Sequence, residues 1–211
     1  MLSGRNPRKT IARESGEARE ALIREALTLF TTKGYAATSV REIVEAAGVT
    51  KPVLYYYFGN KEGLYLELIR HPLDAFVQAV IQATAGKDSA RAKIGQLFET
   101  VLLLFMEHLD EARLMYSIYY GPPQGAPHVD FEAHHSRLGE LISELVREGI
   151  RRKEFHFDDP EAASWLLLGA LNFAMEEQLC QRKPAVNLDG LKRILEMTLG
   201  SPAPASKKRK R

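Results

Sequence analysis

The sequence predicts an all-α protein. Three short helices form an N-terminal helix-turn-helix unit, and a larger C-terminal helical bundle follows, roughly nine helices in total. Three observations carry this reading. Apolar residues recur at helical spacing through every long segment, and no segment shows convincing strand alternation. Glycine, proline and cap residues cut the chain into helix-sized pieces. The first pieces are short, are joined by a glycine-containing turn, and follow a basic flank.

The elements follow in order. Residues 1–14 carry Arg5, Arg8, Lys9 and Arg13 without apolar periodicity and are expected to form a flexible basic arm. Leu22, Ala26, Leu29 and Phe30 then define an apolar stripe, with Ser15 as candidate N-cap and Gly34 as the stop. Thr38 and Ser39 are caps for a second helix, and Ser39 with Glu42 matches a capping box. Gly48 interrupts, Thr50 opens a third helix with Pro52 in its first turn, and Phe58-Gly59 closes it. Asn60 caps a fourth helix, which Pro72 should break or kink by removing a backbone bond. Further helices are expected at about 88–108, 110–120, 130–153, 159–181 and 188–199, with ends uncertain by ~2–4 residues. The loop 121–127 is the clearest interruption, and Asp159-Pro160 is a strong helix start. Residues 201–206 read as a linker to a disordered basic tail, Lys207–Arg211. The expected organisation is therefore an arm (1–14), a helix-turn-helix domain (15–70), a second helical domain (71–200) and a tail (201–211).

Composition narrows the function. The chain has 211 residues, 45% apolar and 27% charged, which is ordinary for a globular protein and excludes fibrous or wholly disordered classes. The longest unbroken apolar run, Val101 to Met106, is far below the roughly 18 residues of a membrane span. No apolar N-terminal segment suggests a secretory leader, and the single cysteine, Cys180, excludes an intrachain disulfide and a zinc-finger framework. A reducing cytoplasm is the expected compartment. The net charge of +2 is unevenly spread: residues 1–70 hold 11 basic and 8 acidic residues, residues 71–206 hold 13 and 19, and residues 207–211 are all basic. Basic ends around an acidic middle suit a polyanion at the ends.

The third helix carries the functional reading. In Thr50-Lys51-Pro52-Val53-Leu54-Tyr55-Tyr56-Tyr57-Phe58, Leu54 and Phe58 are four apart and should face inward. Thr50, Lys51, Val53, Tyr55 and Tyr56 are left for the outer side. Tyrosine hydroxyls and Lys51 suit phosphate, Val53 suits a thymine methyl, and Lys61 at the next helix start is a further phosphate candidate.

The stretch REALTLFTTKGYAATSVREIVEAAGVTKPVLYYYFGNKEGLYLELI resembles the DNA-binding domain of the TetR/AcrR family of bacterial transcriptional regulators. Phe30, Gly34-Tyr35, Thr38-Ser39, Ile43, Ala47-Gly48-Val49, Leu54-Tyr55, Tyr57-Phe58 and Lys61-Glu62 agree in register over about residues 18–70. The resemblance implies a homodimeric regulator, most often a repressor. It would bind a palindromic double-stranded operator and be released by a small apolar or amphipathic effector. By position, Thr50, Lys51, Pro52, Val53, Tyr55 and Tyr56 would lie on the recognition helix. Thr38, Ser39 and Arg41 would touch backbone or base, and Tyr57 and Lys61 phosphate. Pro52 and Val53 depart from the small glycine and the threonine frequent there, which leaves the operator sequence open.

For the C-terminal part the resemblance implies a dimer built from the last two long helices. Trp165, Leu168, Leu171, Met175, Leu191 and Leu195 are the expected interface. Phe105, Met106, Met115, Tyr116, Tyr119, Tyr120, Phe131, His135 and Phe173 are candidates to line an effector pocket, although such stripes are more often ordinary core. His134 and His135 are adjacent and point apart on a helix, so no metal is expected there, nor any cofactor. No phosphate loop, nucleophile elbow or metal-spaced motif points to an enzyme. The main alternative is a non-specific architectural DNA-binder, and an enzyme ranks third. The expected location is the bacterial cytoplasm, at the nucleoid, with no membrane contact.

Overall fold

The computed structural model describes residues 7–121, 125–180 and 186–200, with side chains from residue 16 onward. Among these residues there are nine α-helices and no strand: α1 (Pro7–Lys33), α2 (Val40–Ala46), α3 (Lys51–Phe58), α4 (Lys61–Thr84), α5 (Ala90–Glu107), α6 (Leu109–Tyr119), α7 (Phe131–Arg151), α8 (Pro160–Leu179) and α9 (Leu188–Leu199). None is long and apolar enough to cross a membrane. The basic tail, the 201–206 linker, Pro122-Pro123-Gln124 and Arg5 lie outside the described residues.

Two expectations about these helices change. The arm expected over residues 1–14 is helix from Pro7 on, and Ser15 lies inside α1 rather than capping it. Arg, Lys, Ala and Glu favour helix nearly equally, so a helix forms there without an apolar stripe, and proline fits its first position. Pro72 does not end α4, which continues to Thr84 with Pro72 inside it and buried. The cost of a helical proline, about 3 kcal/mol, falls beside Leu64, Tyr65, Leu68 and Ile69, all fully or nearly fully buried.

The chain divides into two compact units, Met1–Asp74 with Asp110–Val129, and Ala75–Leu109 with Asp130–Arg211. The division falls after Asp74 instead of residue 70, and residues 110–129 group with the first unit instead of the second. In the first unit α1, α2 and α3 pack on one another around Leu22, Ala26, Phe30, Ile43, Val44 and Leu54. Tyr65 of α4 joins them, its ring edge-on to Phe30 at 5.5 Å and to Tyr35 at 4.8 Å. Burial, with a smaller contribution from Tyr35, pushes the Tyr65 phenol up to about 12.

In the second unit α5, α7, α8 and α9 form a four-helix core of Ile94, Leu97, Phe98, Leu102, Ile142, Val146, Leu167, Leu171, Leu191 and their neighbours. Asp159 caps α8 through the N–H groups of Glu161 and Ala162, both at 3.0 Å, with Pro160 at the first helical position. α7 ends in a Schellman motif: Lys153 N–H donates to the Ile150 carbonyl at 3.0 Å and Glu154 N–H to the Gly149 carbonyl at 2.9 Å. Lys153 occupies the left-handed position at φ 59°, where its Cβ is strained. Lys153→Gly should therefore stabilise the second unit by about 0.5–1 kcal/mol. A higher urea midpoint at unchanged slope would bear this out, and a lower midpoint would refute it.

Candidate nucleic-acid interface

The first unit presents the start of α2 and the outer face of α3. Ser39 caps α2: its Oγ accepts from Glu42 N–H at 3.2 Å, while its own N–H donates to the Glu42 carboxylate at 2.8 Å. Glu42 also pairs with Lys33 at the end of α1. Sequence reasoning does not find Lys33, because a pair across a turn leaves no periodic signal. The hydrogen bond from Lys33 and those from Ser39 hold the Glu42 carboxyl down at about 2. Because the folded value lies below the ordinary 4.5, this contribution is complete above that pH and is lost as pH falls from 4.5 toward 2. Glu42→Gln should lower the thermal midpoint at pH 7, and the gap to the parent should close on acidification through that window. A gap independent of pH would reject the carboxylate's role.

Gly48 makes the α2–α3 turn at φ 66°, in the left-handed region glycine enters freely. Thr50 then opens α3 without a side-chain cap bond. Leu54 is fully buried and fixes which side of α3 faces inward. Lys51, Pro52, Tyr55 and Tyr56 are exposed, Tyr55 by 46% and Tyr56 by 81%. Val53 and Tyr57 are half-buried, and Tyr57 packs edge-on against Tyr56 at 5.0 Å. Phe58, expected beside Leu54 in the core, is only half-buried, with the Arg19 guanidinium 5.6 Å from its ring centroid. A helix of eight residues ends there, so Phe58 sits at its rim.

Two of the candidate residues are bonded to the turn between α1 and α2. Thr38 is buried, and its hydroxyl donates to the carbonyls of Gly34 at 2.8 Å and Leu29 at 3.3 Å. The Thr38 side chain thus ties the turn from inside, although the sequence suggests an outward-facing contact. Lys61 is half-buried and donates to the carbonyls of Tyr35 and Thr38, both at 2.9 Å. Arg41 is exposed and bonds Glu45 one turn along α2 at 2.7 Å, a pairing that raises its pKa further.

The second unit corrects the expected dimer face. Leu168, Leu171, Leu191 and Leu195 are buried in this chain's own core, and Met175 packs partly against it. Trp165 alone of the six is exposed, by 66%, with Leu166 and Phe173 beside it on α8 at 60% and 53%. α8 is apolar nearly all round, so periodicity shows that it is buried but not which stripe faces inward. A surface groove runs along α7 and α8 past His135, Gly139, Ser143, Arg147 and Trp165.

The expected pocket lining is also divided. Met115, Tyr116, Tyr119 and Tyr120 belong to the first unit, and Phe105, Met106, Phe131, His135 and Phe173 to the second. Met106, Tyr119, Tyr120, His135 and Phe173 are exposed rather than lining an enclosed space, and His135 sits 3.1 Å from the Asn172 amide. Outer and inner aromatic stripes share the same spacing in sequence, so spacing does not separate them. Among the described residues no group of three or more His, Cys, Asp or Glu side chains is placed to hold a metal ion.

A three-helix unit that buries Leu54 and turns a basic, tyrosine-bearing face outward defines a helix-turn-helix protein of the DNA-binding class. Residues 22–68 match the family model described as bacterial regulatory proteins, tetR family. The chain is 31% identical over 147 residues to the HTH-type transcriptional repressor KstR2 of Rhodococcus jostii, covering 66% of this chain and 69% of that one. It is 35% identical over 135 residues to the HTH-type transcriptional activator FasR of Mycolicibacterium smegmatis, covering 60% of this chain but only 59% of FasR. Two further regulators are matched over 32% and 28% of their length. Among solved structures, PfmR of Thermus thermophilus superposes with a TM-score of 0.65 at 26% identity, covering 86% of this chain and 95% of that one. The chain belongs to the TetR family of bacterial regulatory proteins.

Proposed function

We propose that the chain is a cytoplasmic transcriptional regulator that reads a palindromic operator as a homodimer and is released by a small apolar or amphipathic effector. The observation that carries this is the outer face of α3, where Lys51, Tyr55 and Tyr56 are exposed while Leu54 is buried. Lys51 and the tyrosine hydroxyls suit phosphate, Val53 suits a thymine methyl, and Ser39 and Arg41 flank them from α2. Arg41 reaches a base or phosphate once it leaves Glu45, a cheap step for an exposed ion pair. The relative matched over the larger share of its length is named a repressor, which favours repression as the output.

The outer face of α8 supports the dimer. Trp165, Leu166 and Phe173 form an exposed apolar stripe beside the α7–α8 groove, the self-complementary surface a two-fold contact uses. In a symmetric pair the recognition helices would enter successive major grooves about 34–36 Å apart, and an effector would favour a different spacing. Trp165→Glu should yield monomers in light scattering at micromolar concentration. A dimeric mass for that variant would move the interface elsewhere. DNA binding itself is tested by selecting genomic fragments with purified protein at physiological salt. Enrichment of one palindrome supports the specific regulator. Uniform recovery that fades with salt supports the non-specific architectural reading.

A further inference from the structure

Gly169 lies in the middle of α8 and is exposed. A Cβ built there meets nothing within 4 Å. Alanine favours a helix interior more than glycine does, so local structure alone argues for a side chain at this position. The glycine keeps open a space that the described residues of this chain do not fill. Four residues before it stands Trp165, and four after it Phe173, exposed by 66% and 53%. The three form a ridge along every fourth residue, the kind of row that interdigitates when two helices cross. This ridge reads aromatic, glycine, aromatic in either direction. An antiparallel two-fold crossing requires that symmetry, because the residue four before the crossing point meets the residue four after it on the other helix.

The groove beside this ridge carries both signs of charge. Arg147 and Glu144 of α7 and Glu161 of α8 line it, all exposed. Among the described residues no ion pair engages any of the three. A surface that meets its own copy must hold both halves of each charge pairing, and this one does.

We propose that Gly169 is the crossing point of two α8 helices, the partner's α8 lying in the notch that the glycine leaves. Trp165 then packs on the partner's Phe173, and Phe173 on the partner's Trp165. This rests on the homodimer reading above and adds which residue of α8 sits at the two-fold axis.

The test uses the full chain. In Gly169→Leu the new side chain begins in space that is open in the single chain, so far-UV circular dichroism should stay parental. At the crossing it meets the partner helix twice, once from each copy, and sedimentation velocity should show self-association weakened about a hundredfold. A second measurement fixes the register. In a Cys180→Ser background, Gly169→Cys should give covalent dimers under mild oxidation, because the two substituted positions face each other within disulfide reach. Glu176→Cys, also exposed and seven residues further along, should not, since its two copies would stand about 21 Å apart. A dimeric parent whose Gly169→Leu variant associates equally well overturns the crossing point alone. So does cross-linking at residue 176 in place of residue 169. A parent that is monomeric at micromolar concentration overturns the homodimer reading itself, before any variant is compared.

Discussion

Leu54→Ala and Tyr56→Ala should have opposite consequences, although the two residues are neighbours but one on the same short helix. Leu54 is fully buried and is the only fully buried side chain that α3 gives to the first unit. Its truncation removes three carbons and leaves a cavity between α1, α2 and α3, a change that costs about 3 kcal/mol in comparable cores. The first unit is small, so a loss of that size takes a large share of its stability. Far-UV circular dichroism should show an earlier unfolding step in urea, and DNA binding should fall with the folded fraction. Tyr56 is exposed by 81% and contributes little to the core. Its truncation should shift stability by less than about 0.5 kcal/mol, while weakening duplex binding by about tenfold through loss of hydroxyl and ring contacts. A stability loss in Tyr56→Ala matching that of Leu54→Ala would show that α3 packs the other way round. Unchanged duplex affinity in Tyr56→Ala would show that the outer face of α3 is not the reading face.

What could be read from sequence follows from how local the chemistry is. The start of α2 is legible because a capping box is complete within four residues, Ser39 to Glu42. The start of α8 is legible because Asp159-Pro160 supplies both the cap and the fixed φ. The outer face of α3 is legible because one buried leucine in a short helix sets the rotation of all the others. The start of α1 is missed because polar helix-formers carry no stripe, although Pro7 marks the boundary. The bonds of Thr38 and Lys61 to the α1–α2 turn leave no mark in the sequence because their partners are carbonyls, which every residue has and no sequence pattern distinguishes. The leucines expected at an interface lie in this chain's own core, because an all-round apolar helix gives burial without direction. The second-unit membership expected for residues 110–129 fails for a related reason: periodicity says a segment is helical, not which core receives it.

Gly149→Ala should be among the most damaging single-methyl changes in the second unit, with an expected cost of about 2–3 kcal/mol. A Cβ built on Gly149 would lie 2.0 Å from Cζ of Phe155 and 2.5 and 2.6 Å from its two Cε atoms. Those contacts are far inside van der Waals distance, and they meet the tip of a buried ring rather than the free end of a flexible chain. Phe155 has little room to withdraw. Phe157 packs against it at 5.6 Å between ring centroids, and the Arg91 guanidinium sits 5.8 Å from the ring centroid. Arg91 is itself fixed, donating to the carbonyls of Glu154, Leu199 and Gly200, while its backbone N–H donates to the Glu154 carboxylate at 2.9 Å. The Gly149 carbonyl also accepts the Glu154 N–H that closes the Schellman turn. A shift at residue 149 therefore strains the ring, the turn and the Arg91 tie together. The thermal midpoint should fall by several degrees, on the order of 2–4 °C per kcal/mol for a chain this long. Phe155→Leu in the alanine background should recover part of the loss, because the shorter side chain vacates the space the new methyl needs. If the double variant is as unstable as the sum of the two single changes, the ring is not what excludes a side chain at residue 149.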